Sequence, residues 1–169
     1  MLTTGFNHVA VITKDADRFL EFYASVFGAK KSAEIIDGPP DAKFRLMIID
    51  VGSYSELNVF EMPDNPEVDR QTPGFARGRI DHLALLAESM DAFEEIRSRL
   101  MARGAADDFV TDFGKVLSVF FRDPDGLECE VCVPNPDWVP GTVNPPGTPA
   151  ARFASVSYTH LTLPTNREV

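Results

Sequence analysis

One stretch of this 169-residue chain is written twice, and that repeat constrains the fold more than any other feature. FNHVAVITKDADRF begins at Phe6 and IDHLALLAESMDAF at Ile80, so a constant offset of 74 aligns fourteen positions without a gap. His8 then matches His82, Ala10 matches Ala84, Asp15 matches Ser89, Asp17 matches Asp91 and Phe19 matches Phe93. Two copies of one supersecondary unit are the economical reading, because each alone is too short to bury its apolar surface.

Each copy opens on a short apolar run, HVAVI or HLALL, of strand length. Asp15 and Ser89 follow as helix N-caps. In the first copy Phe19, Phe22, Tyr23, Val26 and Phe27 recur at the spacing of one helical face, with Gly28 placed to end it. The second helix repeats this with Phe93, Ile96, Leu100 and Met101 before Gly104. KSAEIID, KFRLMIIDV and ELNVFEM then read as three strands of the first unit, and DFVTDFG, KVLSVFFRD and LECEVCV as three of the second. Turn-forming DGPPD, GSYS and DPDG separate them. The expected organisation is a single domain over 1–134, with a first module at 5–63, a connector at 64–78 and a second module at 79–134. A proline-rich tail at 135–155 is expected to lie over the surface or to be disordered.

The terminal stretch SVSYTHLTLPTNREV stands apart. Residues 156–165 resemble a read-through translation of a transposase adaptor used to prepare sequencing libraries, so 156–169 is set aside as non-native and His160 with it. About 155 residues remain, enough for a substantial core. The segment set aside holds one Arg and one Glu, so the formal charge of −10 belongs to the domain. Such acidity argues against nucleic-acid and anionic-membrane partners and leaves cationic or metal-bound ones open. No long apolar run and no leader is present, and a cytoplasmic protein is expected. Cys129 and Cys132 sit in a strand, on opposite faces and ~10 Å apart, too far to bridge. They read as packing cysteines in a reducing compartment.

FNHVAV, IDHLAL and DPDGLECEV together resemble the vicinal oxygen chelate superfamily, which includes glyoxalases, fosfomycin-resistance enzymes, extradiol dioxygenases, methylmalonyl-CoA epimerases and bleomycin-resistance proteins. The likeness covers about residues 5–134. It implies an α+β fold of two tandem βαβββ modules, whose curved, barrel-like mixed sheet surrounds a cavity with helices outside. It also implies metal ligands on the first and last strand of each module. The most specific motif is D-P-D-G with Glu130 four residues after Gly126.

On a strand, His8 shares a face with Phe6, Ala10 and Ile12, and His82 with Ala84 and Leu86. A lone histidine there is more often a buried, hydrogen-bonded core residue than a ligand. Two at one repeat position, with only His160 besides, shift the balance toward metal. The last strands align at an offset of 72, placing Asn58 where Glu130 stands in the second module. The family often has Glu at that position, and an amide cannot act as a general base. The expected set is therefore His8, His82 and Glu130 with Asn58 as a weak fourth donor, suited to Fe, Mn, Ni or Zn. Glu128 shares the face of Glu130 and is either a replacement base or an ordinary solvated carboxylate at the strand's mouth.

Three functions fit. The first is a glyoxalase-like isomerase or lyase acting on a small oxygen-chelating substrate, in which Glu130 and Glu128 are the catalytic carboxylates. The second is an extradiol Fe(II) dioxygenase, although Tyr23 on a helix and Tyr54 in a turn leave no obvious proton donor. The third is a non-catalytic binder of the bleomycin-resistance kind, whose cavity Phe44, Phe60, Phe120 and Phe121 could line, or they belong to the core. A homodimer, and a site built within one chain or across two, both remain open.

Overall fold

The computed structural model describes residues 2, 5–38, 44–69 and 80–153. His160 and the adaptor-like segment lie outside them, as does most of the connector. The elements run β1 (His8–Thr13), α1 (Ala16–Phe27), β2 (Lys30–Asp37), β3 (Phe44–Gly52), β4 (Ser55–Glu61), β5 (Leu83–Leu86), α2 (Met90–Ala102), β6 (Thr111–Asp112), β7 (Val116–Arg122) and β8 (Glu128–Pro134). They form two four-stranded mixed sheets, ordered β1-β4-β3-β2 and β5-β8-β7-β6. The fold is α+β with one helix per repeat, as the repeat predicts.

Local chemistry sets the helix ends. Asp15 accepts from the Arg18 N–H at 2.9 Å, and the Ser89 hydroxyl accepts from the Ala92 N–H at 3.1 Å. Gly28 adopts φ of 72°, a left-handed conformation that glycine takes without Cβ strain. α1 buries Phe19, Phe22, Tyr23 and Val26, whereas α2 buries only Phe93 and Leu100. Met101, expected on the inner face of α2, is 40% exposed. DFVTDFG contributes only the two-residue β6.

One hydrophobic cluster joins both modules. Phe22 stacks on Phe121 at 6.2 Å, and the Tyr23 hydroxyl lies 3.9 Å from Cys129 Sγ, so α1 packs on the second sheet as well as its own. Arg99 donates to the Ser25 and Val26 carbonyls at the end of α1. Phe19, Tyr23, Phe93, Phe121 and Leu100 are fully buried or nearly so. Each such side chain contributes about 1.5–3 kcal/mol by leaving water.

This packing refines the expected architecture. The two sheets are not closed into a barrel, and the helices share the interior core between them. The reason lies in which side of each strand the core claims. Val9, Val11 and Thr13 turn inward on β1 while His8, Ala10 and Ile12 face out, and on β5 Ala84 and Leu86 are the exposed pair. The two histidine-bearing faces therefore point away from the common core.

Residues 135–153 lie over the surface, one of the two outcomes expected of the proline-rich tail, and backbone hydrogen bonds hold them there. The Asp112 N–H donates to the Thr148 carbonyl at 2.8 Å, the Ala150 N–H to the Val110 carbonyl at 2.9 Å, and Thr111 bridges Pro149. Ala150 is buried, while Phe153 meets Phe93 edge-on at 5.8 Å beneath Arg97. Prolines without N–H groups do not prevent this, because neighbouring Thr148 and Ala150 provide the backbone partners. Gly114 at φ +90° marks the close approach, since a Cβ there would meet the Thr142 carbonyl oxygen at 2.6 Å.

Candidate functional site: two histidine-bearing faces

Strand pairing makes the repeat geometrical. β1 lies parallel to β4 with Ala10 opposite Asn58, and β5 lies parallel to β8 with Ala84 opposite Glu130. Residues paired across strands share a face. Asn58 and Glu130 thus occupy equivalent places, each beside the outward histidine two residues before the paired alanine.

In the second module His82 Nε2 lies 3.1 Å from Glu130 Oε2, and His82 Nδ1 lies 2.9 Å from Asp81 Oδ2. Edge-on contact with Phe120 at 5.7 Å holds the ring from the side. The Ser118 hydroxyl donates to Glu130 Oε1, and both residues are buried. Glu128 is half-buried on the same face and borders a groove of about 470 Å³ with Phe120, Arg122 and Phe109.

In the first module His8 Nδ1 lies 2.9 Å from Asn7 Oδ1. With Nδ1–H donated to that oxygen, Nε2 carries the lone pair and is free to ligate. His82 likewise turns Nδ1 to Asp81, but its Nε2 already meets Glu130 Oε2 at 3.1 Å, a contact that calls for a proton or a cation between the two atoms. Asn58 Oδ1 is buried and makes no hydrogen bond. A buried carbonyl oxygen without a partner costs roughly 1–3 kcal/mol, so a cation or donor arriving at this face would relieve it. These donors fit a divalent metal: two oriented imidazole nitrogens, one carboxylate oxygen and one orphaned amide oxygen.

The structure brings together His82 with Glu130, and places His8 on the same face as Asn58. It does not bring one pair to the other, and among the described residues no group of three or more His, Cys, Asp or Glu side chains could hold a metal. Phe44 and Phe60 sit 6.3 Å apart and, like Phe120, belong to the outward faces, whereas Phe121 is core. Asn7, Asp81 and Ser118 lie outside the ligand set expected from the sequence. The signal for the first two was a hydrogen-bonding side chain before each repeated histidine. For Ser118 it was a lone hydroxyl in the apolar KVLSVFF.

Other polar groups are structural. Asp123 of the DPDG turn accepts the Asp125 and Leu127 N–H groups at 3.0 and 2.8 Å, and burial pushes its carboxyl up to about 6. Cys129 and Cys132 form no disulfide, and burial together with the charge of Glu130 pushes the Cys132 thiol up, away from reactive thiolate. The Tyr23 hydroxyl is buried and held well above its usual range, first by desolvation, so it is no ready proton donor. Tyr54 is exposed in the β3–β4 turn.

Known proteins place this geometry. The Escherichia coli O157:H7 lactoylglutathione lyase is 30% identical over 129 residues, covering 73% of this chain and 88% of that one. The Bacillus subtilis (strain 168) protein YwkD, uncharacterized, is 32% identical over 133 residues, covering 78% and 98%. A glyoxylase/bleomycin resistance protein/dioxygenase domain from Frankia sp. EAN1pec superposes with a TM-score of 0.64 at 21% identity, covering 79% of this chain and 99% of that one. The family model matches residues 5–131, and the chain belongs to the Glyoxalase/Bleomycin resistance protein/Dioxygenase superfamily.

Proposed function

We propose that the chain is a glyoxalase-like, metal-dependent enzyme acting on a small oxygen-chelating substrate with isomerase or lyase chemistry. The observation that carries this reading is the repeated arrangement in which Asn7 and Asp81 each engage Nδ1 of the following histidine, with His82 Nε2 turned to Glu130 Oε2 at 3.1 Å. His8 and Asn58 from one face, with His82 and Glu130 from the other, would hold one divalent ion. The two faces would meet if a second copy laid its second sheet against the first sheet of this one. Exposed apolar side chains on those faces favour such a homodimer: Ile12 and Ile35 are 46% exposed and Leu86 is 71% exposed.

When bound, the metal would supply Lewis-acid polarisation of substrate oxygens. Glu130 Oε2 is the carboxylate oxygen placed to accept a proton from substrate, with Glu128 a second carboxylate at the mouth of the same face. Asn58 can orient a substrate oxygen or ligate but holds no exchangeable proton of suitable basicity. Phe44, Phe60 and Phe120 would wall the closed cavity and exclude water.

The extradiol dioxygenase reading draws on the two-histidine, one-carboxylate donor count. Oxygen uptake with catechols by the Fe(II)-loaded protein separates it from the lyase reading. The primary test is titration of tag-free protein with Ni(II) or Zn(II). About one ion per chain is expected, and His82→Ala should weaken binding on the order of 100-fold or more, since even second-shell losses cost ~10–100-fold. Unchanged affinity in His82→Ala would overturn the proposal.

A further inference from the structure

Resting on the metal-site reading above, we infer that Ser118 is a positioning residue that keeps Glu130 a single-oxygen ligand. Ser118 is fully buried on β7 and donates its hydroxyl proton to Glu130 Oε1, while Glu130 Oε2 lies 3.1 Å from His82 Nε2. The carboxylate is thereby held at both ends: one oxygen is committed to Ser118 and the other is turned to the imidazole edge. A chain of contacts runs Asp81, His82, Glu130, Ser118, and each link fixes the next.

The consequence is one of coordination count. A free carboxylate approaching a divalent ion can chelate through both oxygens and fill an extra position. With Oε1 engaged by Ser118, Glu130 would offer Oε2 alone, and His8, His82 and Asn58 would offer one donor each. An ion with a six-coordinate preference held by these four would keep positions open for substrate oxygens. The first module has no counterpart: Ile48 and Leu46 flank Asn58 and Phe60 on β3, and Asn58 Oδ1 makes no hydrogen bond.

The test uses Co(II) titration of the full-length protein, followed by affinity and by the visible absorption of the bound ion, which reports coordination number. Ser118→Ala frees Oε1 to chelate, so it is expected to raise Co(II) affinity, by up to ~10-fold, and to alter the absorption band as an extra position fills. Ser118→Thr, which keeps the hydroxyl, restores both. On a Glu130→Gln background, Ser118→Ala has no further effect, because the group through which it acts is gone. This cycle decides the matter even if Ser118→Thr fails to fold. The inference is overturned if Ser118→Ala binds Co(II) with wild-type affinity and spectrum, or if its effect persists undiminished beside Glu130→Gln. Absence of Co(II) binding by the wild-type protein would overturn the metal-site reading and this inference together. Loss of binding in Glu130→Gln with no effect of Ser118→Ala would overturn this inference alone.

Discussion

The two modules share a strand, a helix and a histidine at equivalent positions, yet their outward faces differ. Around His82 the polar groups are tied in: Glu130 is anchored by Ser118, His82 by Asp81, and Phe113 and Phe120 pack beside them. His8 bonds through its ring to Asn7, and among the described residues the amide oxygen of Asn58 has no partner. The tail adds to the asymmetry, since residues 135–153 bond to the second module's 110–116 region and nothing equivalent covers the first sheet among the described residues. The comparison teaches that one half-site is preorganised on its own, while the other presents donors that gain a partner only when something is brought to them.

Making the first half-site resemble the second should produce the largest change. Asn58→Glu places a carboxylate opposite Ala10, as Glu130 stands opposite Ala84. Divalent metal should bind more tightly by ~10-fold or more, because a charged oxygen replaces a neutral one and second-shell changes alone reach ~10–100-fold. Lyase or isomerase activity should rise with the second carboxylate, whereas a dioxygenase should lose activity as an open position fills. Calorimetric titration of the variant checks the first statement. Weaker binding would mean that Asn58 does not face the metal.

A smaller effect concerns the tail. Phe153→Ala removes the ring between Phe93 and Arg97 and should cost about 1–2 kcal/mol, less than a fully buried Phe→Ala, lowering the melting temperature by a few degrees. Deleting residues 156–169 should leave the melting temperature and metal binding unchanged, as expected of a segment foreign to the domain. Differential scanning calorimetry of both variants distinguishes a packed tail from an incidental one.

Much of this was legible in the chain itself. The repeat offset of 74 and the last-strand offset of 72 are realised as strand pairings, Ala10 with Asn58 and Ala84 with Glu130. Helix caps at Asp15 and Ser89 follow from side-chain chemistry within a few residues. What sequence spacing does not carry is the partner of an apolar face. Nothing in Phe22 or Tyr23 says that they meet Phe121 and Cys129 across modules, and that choice keeps the sheets from closing around a cavity in one chain. Ser118 was hidden for a related reason: its contact to Glu130 is diagonal across β7 and β8, where Ser118 is directly opposite Cys132. The tail was left between surface and disorder because proline content reports the absence of N–H donors and says nothing of the neighbouring backbone groups that hold it to the surface.

The central claim is that half-sites from two copies complete one metal site. It is tested most directly by co-refolding His8→Ala chains with His82→Ala chains and measuring bound metal. Each variant alone should hold almost none. In a mixed dimer one site carries both substitutions and the other carries neither, so random pairing should restore about a quarter of the wild-type metal content. Recovery to that level is the predicted result. No recovery from a mixture shown to contain mixed dimers, with each single variant metal-free, would contradict the account and place all the ligands within one chain.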